Sequence, residues 1–162
     1  MKNFTSTSKK GFTLIELLIV IVILGLLAAV VLAAINPVEA RNKAVDTANK
    51  ADASQVVNAL DRYFTSKGSY PWGATAPSDG TAVSAAWLTT MVNSGEIKPE
   101  FQTRGSISNG ILKVYTYTSA GATLVRVCFT PASNEFKSTA KFTSAGAIGS
   151  AGGTGNIVCV PD

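Results

Sequence analysis

The sequence predicts an α+β fold: a long N-terminal α-helix, apolar and transmembrane in its first half, whose second half packs on a small antiparallel β-sheet. Three observations predict it. No charged residue occurs between Leu17 and Ile35. From Val38 to Ser66, apolar residues recur at helical spacing. Late in the chain, β-branched and aromatic residues gather in short runs separated by Gly, Ala and Ser. At 162 residues there is room for one domain and an anchor, and a second core is not expected.

The uncharged run is the strongest feature. About 19 helical residues at ~1.5 Å each span roughly 28 Å, close to the ~30 Å hydrocarbon thickness of a bilayer. Lys9 and Lys10 stand just before it, and the positive-inside rule keeps them cytoplasmic, with the remainder of the chain outside. Arg41 and Lys43 beyond the run weaken that bias without reversing it. Two readings of the run compete. A cleaved signal peptide has a basic start, an apolar stretch of about 7–15 residues and a small-residue cleavage site, which Val31-Leu32-Ala33 supplies. A retained anchor accommodates the greater length and Glu16 at its entrance. A carboxylate there costs about 2–3 kcal/mol on insertion scales, less near the interface, and calls for a compensating partner. Its simplest recourse is to snorkel to the interface. Gly25, Ala29 and Ala33 are spaced by four, which lines up small residues on one face and permits close helix–helix approach.

Asn36-Pro37 interrupts the helix, because proline lacks a donor and disfavours helix at the preceding residue. Either the helix kinks here or a second one starts with Pro37 in its first turn. Beyond the proline, Val56, Ala59, Leu60, Tyr63 and Phe64 form one stripe that should face a core. Arg41, Lys43, Asp46, Lys50, Asp52 and Asp61 supply polar faces. Gly68 caps the helix and Pro71 comes shortly after it. Trp72 to Asp79 reads as loop. Ser84 is the candidate cap of a short helix to Asn93, with Trp87, Leu88, Met91 and Val92 on one face. Ile111–Ser119 and Thr123–Thr130 read as strands joined by a hairpin loop at Ala120-Gly121-Ala122. Phe136–Thr143 is a weaker third strand and Ile157–Pro161 a terminal one. Between them Ala145–Gly155, nearly all Gly, Ala, Ser and Thr, reads as a flexible loop.

Composition narrows the function. There is no histidine, which removes the commonest general base and metal ligand. The carboxylates beyond Gly80 show no pairing pattern, so an anchored hydrolase is disfavoured and no cofactor is expected. Cys128 and Cys159 have no C-x-x-C spacing, so a zinc site is unsupported. In an exported chain they suggest one disulfide, with two buried thiols as the alternative. Such a bond closes about 30 residues and stabilises by very roughly 3 kcal/mol in the chain-entropy model. The formal charge of +4 includes Lys2, Lys9 and Lys10 ahead of the apolar run, so the remainder is close to neutral. A nucleic-acid partner is therefore disfavoured, although Lys113, Lys137 and Lys141 are available on the late segments.

The segment Gly11-Phe12-Thr13-Leu14-Ile15-Glu16-Leu17-Leu18, after a short leader ending Lys9-Lys10, closely resembles the N-terminal methylation motif of type IV pilins. That resemblance implies cleavage between Gly11 and Phe12 by a prepilin peptidase and N-methylation of Phe12. It implies that Glu16, fifth in the mature chain, pairs with the N-terminus of an incoming subunit and sets axial register. The implied domains are a leader at 1–11, a transmembrane or filament-core helix at 12–36 and a globular head at 37–162. The implied life history runs from an inner-membrane precursor, single pass with its C-terminus outside and in contact with lipid, to an extracellular helical homo-oligomer. A membrane assembly platform and its ATPase drive the conversion. Gly68-Ser69-Tyr70-Pro71 after an aromatic helix end is also common among pilins and pseudopilins, and a C-terminal disulfide loop is frequent in pilins. A pseudopilin of a type II secretion system shares the same N-terminus. The major secretion pseudopilin usually carries an acidic, calcium-binding C-terminal region, whereas Asp162 is the sole acidic residue here after Glu135. A DNA-uptake pilin is the remaining alternative.

Overall fold

The structure, a computed structural model, describes residues 11–34, 36–119, 121–143 and 155–161. The leader up to Lys10, Ala120 of the expected hairpin loop and most of the expected loop at 145–155 lie outside the described residues. The chain divides into two compact units between Pro37 and Val38.

The first unit contains α1, Leu14–Ala34. Leu, Ile, Val and Ala leave no polar stripe on it. Its large apolar side chains are open on every side, from 48% exposed at Val20 to 85% at Leu14. A helix that is apolar all round requires lipid or packed neighbours on all sides. Leu14–Leu32 is long and apolar enough to cross a membrane.

The next helix, α2, runs Pro37–Lys67. Pro37 is its first residue, where the missing N–H would have had no partner in any case. The helix ends as expected at Gly68, whose φ of +70° a side chain would resist and whose N–H donates to Phe64 O at 2.8 Å. Of the expected stripe, Val56, Ala59 and Leu60 are buried, Tyr63 is half-buried and Phe64 remains 44% exposed. The buried face begins earlier than expected, with Asp46, Asn49 and Asp52. The sequence places Asp46 and Asp52 on polar faces, but partners distant in sequence draw both inside. Asp46 accepts the N–H of Ala132 at 3.0 Å and, from Ser133, the N–H at 2.7 Å and the hydroxyl at 2.6 Å. Asp52 accepts the Ser106 hydroxyl at 2.5 Å and pairs with Arg104.

The sheet has four antiparallel strands in the order β1 (Thr81–Ala82), β2 (Lys113–Ser119), β3 (Ala122–Phe129) and β4 (Val158–Val160). The β2–β3 hairpin pairs Lys113 with Cys128 at one end and Ser119 with Ala122 at the other. Alternation then assigns the faces. Val114, Val125, Val127, Phe129 and Val158 join Val56 and Leu60 of α2 in the main core. Tyr115, Cys128 and Cys159, on the opposite face, meet Phe142 and Ile157 in a second cluster. Full burial of an aliphatic side chain such as Leu60 contributes about 2–3 kcal/mol, so the main core is the chief stabiliser of this unit.

Between α2 and β2, the expected helix forms as α3, Ala85–Asn93. The Ser84 hydroxyl accepts the Trp87 N–H at 3.3 Å and Gly95 closes the far end at φ +80°. Leu88 and Met91 enter the core, while Trp87 and Val92 lie at its rim. A 3-10 turn at Pro99–Thr103 and a single-turn helix α4, Gly105–Ser108, come next. The expected strand at Phe136–Thr143 is a correction. Residues Asn134–Thr139 form a short helix, α5, with the Ser133 hydroxyl accepting the Phe136 N–H at 3.4 Å. Because Ser133 is held by Asp46, the segment starts in a helix-capping geometry. Only Phe142 reaches strand geometry, as an isolated bridge to Ile157. The backbone passes so close there that a Cβ on Gly155 would lie 2.4 Å from Phe142 N, which only glycine permits.

Candidate functional site at the start of the apolar helix

Gly11 is exposed, and a Cβ placed on it would meet nothing within 4 Å. The fold itself therefore imposes no glycine at this position. Phe12 is 87% exposed. The bond between them stands clear of the first turn of α1, which begins two residues later.

Thr13 and Glu16 close that first turn reciprocally. The Thr13 N–H donates to Glu16 Oε2 at 3.0 Å, its hydroxyl donates to the same oxygen at 2.9 Å, and the Glu16 N–H donates to Thr13 Oγ1 at 3.3 Å. This is a capping box, in which each residue satisfies an amide that the helix start leaves orphaned. The positive end of the helix dipole adds to the attraction for the carboxylate. Both bonds to the carboxylate use Oε2, and among the described residues Oε1 accepts none and Glu16 has no ion pair. The sequence motif alone does not single out Thr13 as a functional residue. A signal for it exists, since Thr-x-x-Glu before an apolar run is the sequence form of the box.

Of the small residues, Gly25 has open space around it and Ala29 is exposed; the Ala33 side chain lies outside the description. Cys128 and Cys159 are bonded across the directly opposed positions of β3 and β4, and both are fully buried. Lys113 opens β2, Lys137 sits on α5 and Lys141 lies just beyond it, all exposed. Among the described residues no group of three His, Cys, Asp or Glu side chains could hold a metal ion.

Comparison with known proteins bears on the same segment. Residues 6–32 match the model of a prokaryotic N-terminal methylation motif. The chain is 36% identical to the fimbrial protein EcpC of Eikenella corrodens over 84 residues, 52% of this chain and 54% of that protein. It is 39% identical to a fimbrial protein of Neisseria meningitidis serogroup B over 93 residues, covering 57% and 52%. It is 32% identical to the type IV major pilin protein PilE1 of Neisseria gonorrhoeae over 126 residues, covering 67% and 69%. The chain thus spans about half the length of the first two relatives. No solved structure matches. The names of these relatives denote filament subunits, not enzymes.

Proposed function

This chain belongs to the type IV pilin family, and we propose that it is the structural subunit of a type IV pilus-like surface filament, cut after Gly11, methylated at Phe12 and polymerised through α1. The observation that carries the reading is a helix apolar on every side whose sole charged side chain, Glu16, has one carboxylate oxygen uncommitted among the described residues.

The chemistry rests on the first five residues of the mature chain. Cleavage between Gly11 and Phe12 releases an ammonium group at Phe12. The capping box survives the cut, because the Thr13 N–H belongs to the Phe12–Thr13 peptide. Glu16 is thereby held at the helix start while Oε1 remains open to the ammonium of a neighbouring subunit. In a low-dielectric surrounding such a pair is strong, and removing one partner of a buried pair costs about 3–5 kcal/mol. The pair fixes the axial position of one α1 against the next, and the apolar side chains exchange lipid for neighbouring helices.

Before assembly, the precursor is anchored in the inner membrane by α1 with the head outside. A prepilin peptidase, an assembly platform and its ATPase are the partners this scheme requires. The bonded Cys128–Cys159 pair suits an oxidising exterior. The names of the relatives, major pilin and fimbrial protein, favour a pilus over the pseudopilus of a secretion machine. Replacing Glu16 tests the scheme. In Glu16→Ala cells the precursor is processed but filaments are not recovered by shearing. A processed Glu16→Ala subunit that assembles in normal yield would remove the register role.

A further inference from the structure

A groove of about 640 Å³ opens in the head between the C-terminal end of α2, the loop at residues 70–76 and the β2–β3 hairpin. The filament reading makes no use of it. One wall is aromatic: Phe64 lies 4.7 Å from Tyr70, and Tyr70 stacks on Trp72 at 4.8 Å and 17°; outside the lining, Trp87 meets Trp72 edge-on at 5.1 Å. Asp61, Thr116 and Thr123 complete the polar part of the lining, and the Thr116 hydroxyl donates to Asp79 Oδ1 at 3.4 Å. Among the described residues the Asp61 carboxylate accepts no hydrogen bond and makes no ion pair. Partial desolvation at the protein surface holds its pKa above the usual aspartate value. The Tyr70 phenol is also shifted upwards, by burial first and then by Asp61 and Tyr117, so it stays a proton donor.

The chemistry of the lining selects the ligand. An anion is repelled by Asp61, and no lysine or arginine lines the groove to offset it. A cation would be drawn by Asp61 but would meet no second acidic side chain in the lining and would leave the hydroxyls unused. A wholly apolar segment would strip water from the Asp61 carboxylate and the Tyr70 and Thr123 hydroxyls without replacing their hydrogen bonds. What remains is a neutral ligand with apolar C–H surface and many hydroxyls. We propose that this groove binds a neutral oligosaccharide, its C–H face against Phe64 and Trp72 and its hydroxyls on Asp61, Tyr70, Thr116 and Thr123. The volume lies within the ~300–1,000 Å³ typical of small-ligand sites.

The test uses the full mature chain in a detergent without a sugar headgroup, titrated with maltohexaose, cellohexaose and chitohexaose. Binding is read by calorimetry and by the fluorescence of Trp72 and Trp87. Saturable binding of at least one of the three is expected, weakened about tenfold or more in Asp61→Asn and in Phe64→Ala. Both residues are exposed, and thermal unfolding checks that each variant is folded; where one is not, Thr123→Val replaces it. Absence of saturable binding by all three sugars at millimolar concentration overturns the proposal, as does binding that the folded variants leave unchanged. Neither result touches the filament reading, whose residues lie on α1 and just before it.

Discussion

Glu16 takes both the amide and the hydroxyl of Thr13 on a single carboxylate oxygen, Oε2, at 3.0 and 2.9 Å. In the proposed scheme the same carboxylate serves two tasks that substitution can separate: it caps a helix, and it offers a negative charge to a neighbour. The cap needs only an acceptor, which an amide supplies. The latch needs the charge.

Glu16→Gln therefore keeps the box and loses the latch. The variant is expected to retain the helical first turn, seen as slow exchange of the Thr13 and Glu16 amides in micelles, and to yield no filaments. Thr13→Val does the reverse, weakening the helix start by about 1 kcal/mol while leaving filament yield within a few-fold of the parent. If the two variants fail equally in assembly, the separation is wrong.

Asp46 is 1% exposed and gathers three donors from Ala132 and Ser133. Asp46→Ala strands those donors and is expected to cost about 2–4 kcal/mol, measured by chemical denaturation. Asp46→Asn, which keeps one acceptor oxygen, should lose distinctly less. Equal losses would show that volume, not hydrogen bonding, matters at this position.

Much of this architecture is legible in the sequence, and the failures have a common cause. The apolar run, the Ser84 cap, the glycine ends at Gly68 and Gly95 and the existence of the β2–β3 hairpin are local features, written in adjacent residues, although Ala122, expected in the loop, pairs with Ser119. Asp46 and Asp52 read as surface charges because nothing near them in sequence reveals Ser133 or Ser106. The same long-range bond sets Ser133 as a cap and turns Asn134–Thr139 into helix where aromatic and β-branched residues suggest strand. Strand β1, two residues long, carries no periodicity to read. At the candidate site the motif points to Gly11, Phe12 and Glu16. Thr13 escapes it because its role lies in the pairing and not in its own chemistry.

The Cys128–Cys159 bond ties the last strand to the hairpin across a separation of 31 residues. Replacing both cysteines by serine is expected to lower the stability of the head by about 3 kcal/mol, with a matching drop in thermal midpoint. A shift confined to a few tenths of a kcal/mol would mean that sheet pairing holds β4 without the bond.

Burial raises the pKa of Asp61, which fixes the sign of a pH effect. The folded state keeps this proton to higher pH than the unfolded chain does, so the contribution is fully present below the ordinary value near pH 4 and is lost as pH rises through the folded value. Asp61→Asn abolishes that loss. The thermal midpoint of the variant relative to the parent should therefore climb as pH is raised from about 3 towards neutrality. Parallel curves would contradict the assigned environment.

The proposed latch joins a new amine at Phe12 to the carboxylate of Glu16 on a neighbouring subunit. Mass spectrometry of the N-terminal peptide from filaments sheared off cells tests it most directly. The expected result is a chain beginning at Phe12 with one methyl group on its amine. A chain beginning elsewhere, as after Ala33 for a cleaved signal peptide, would leave no amine beside Glu16 and would contradict it.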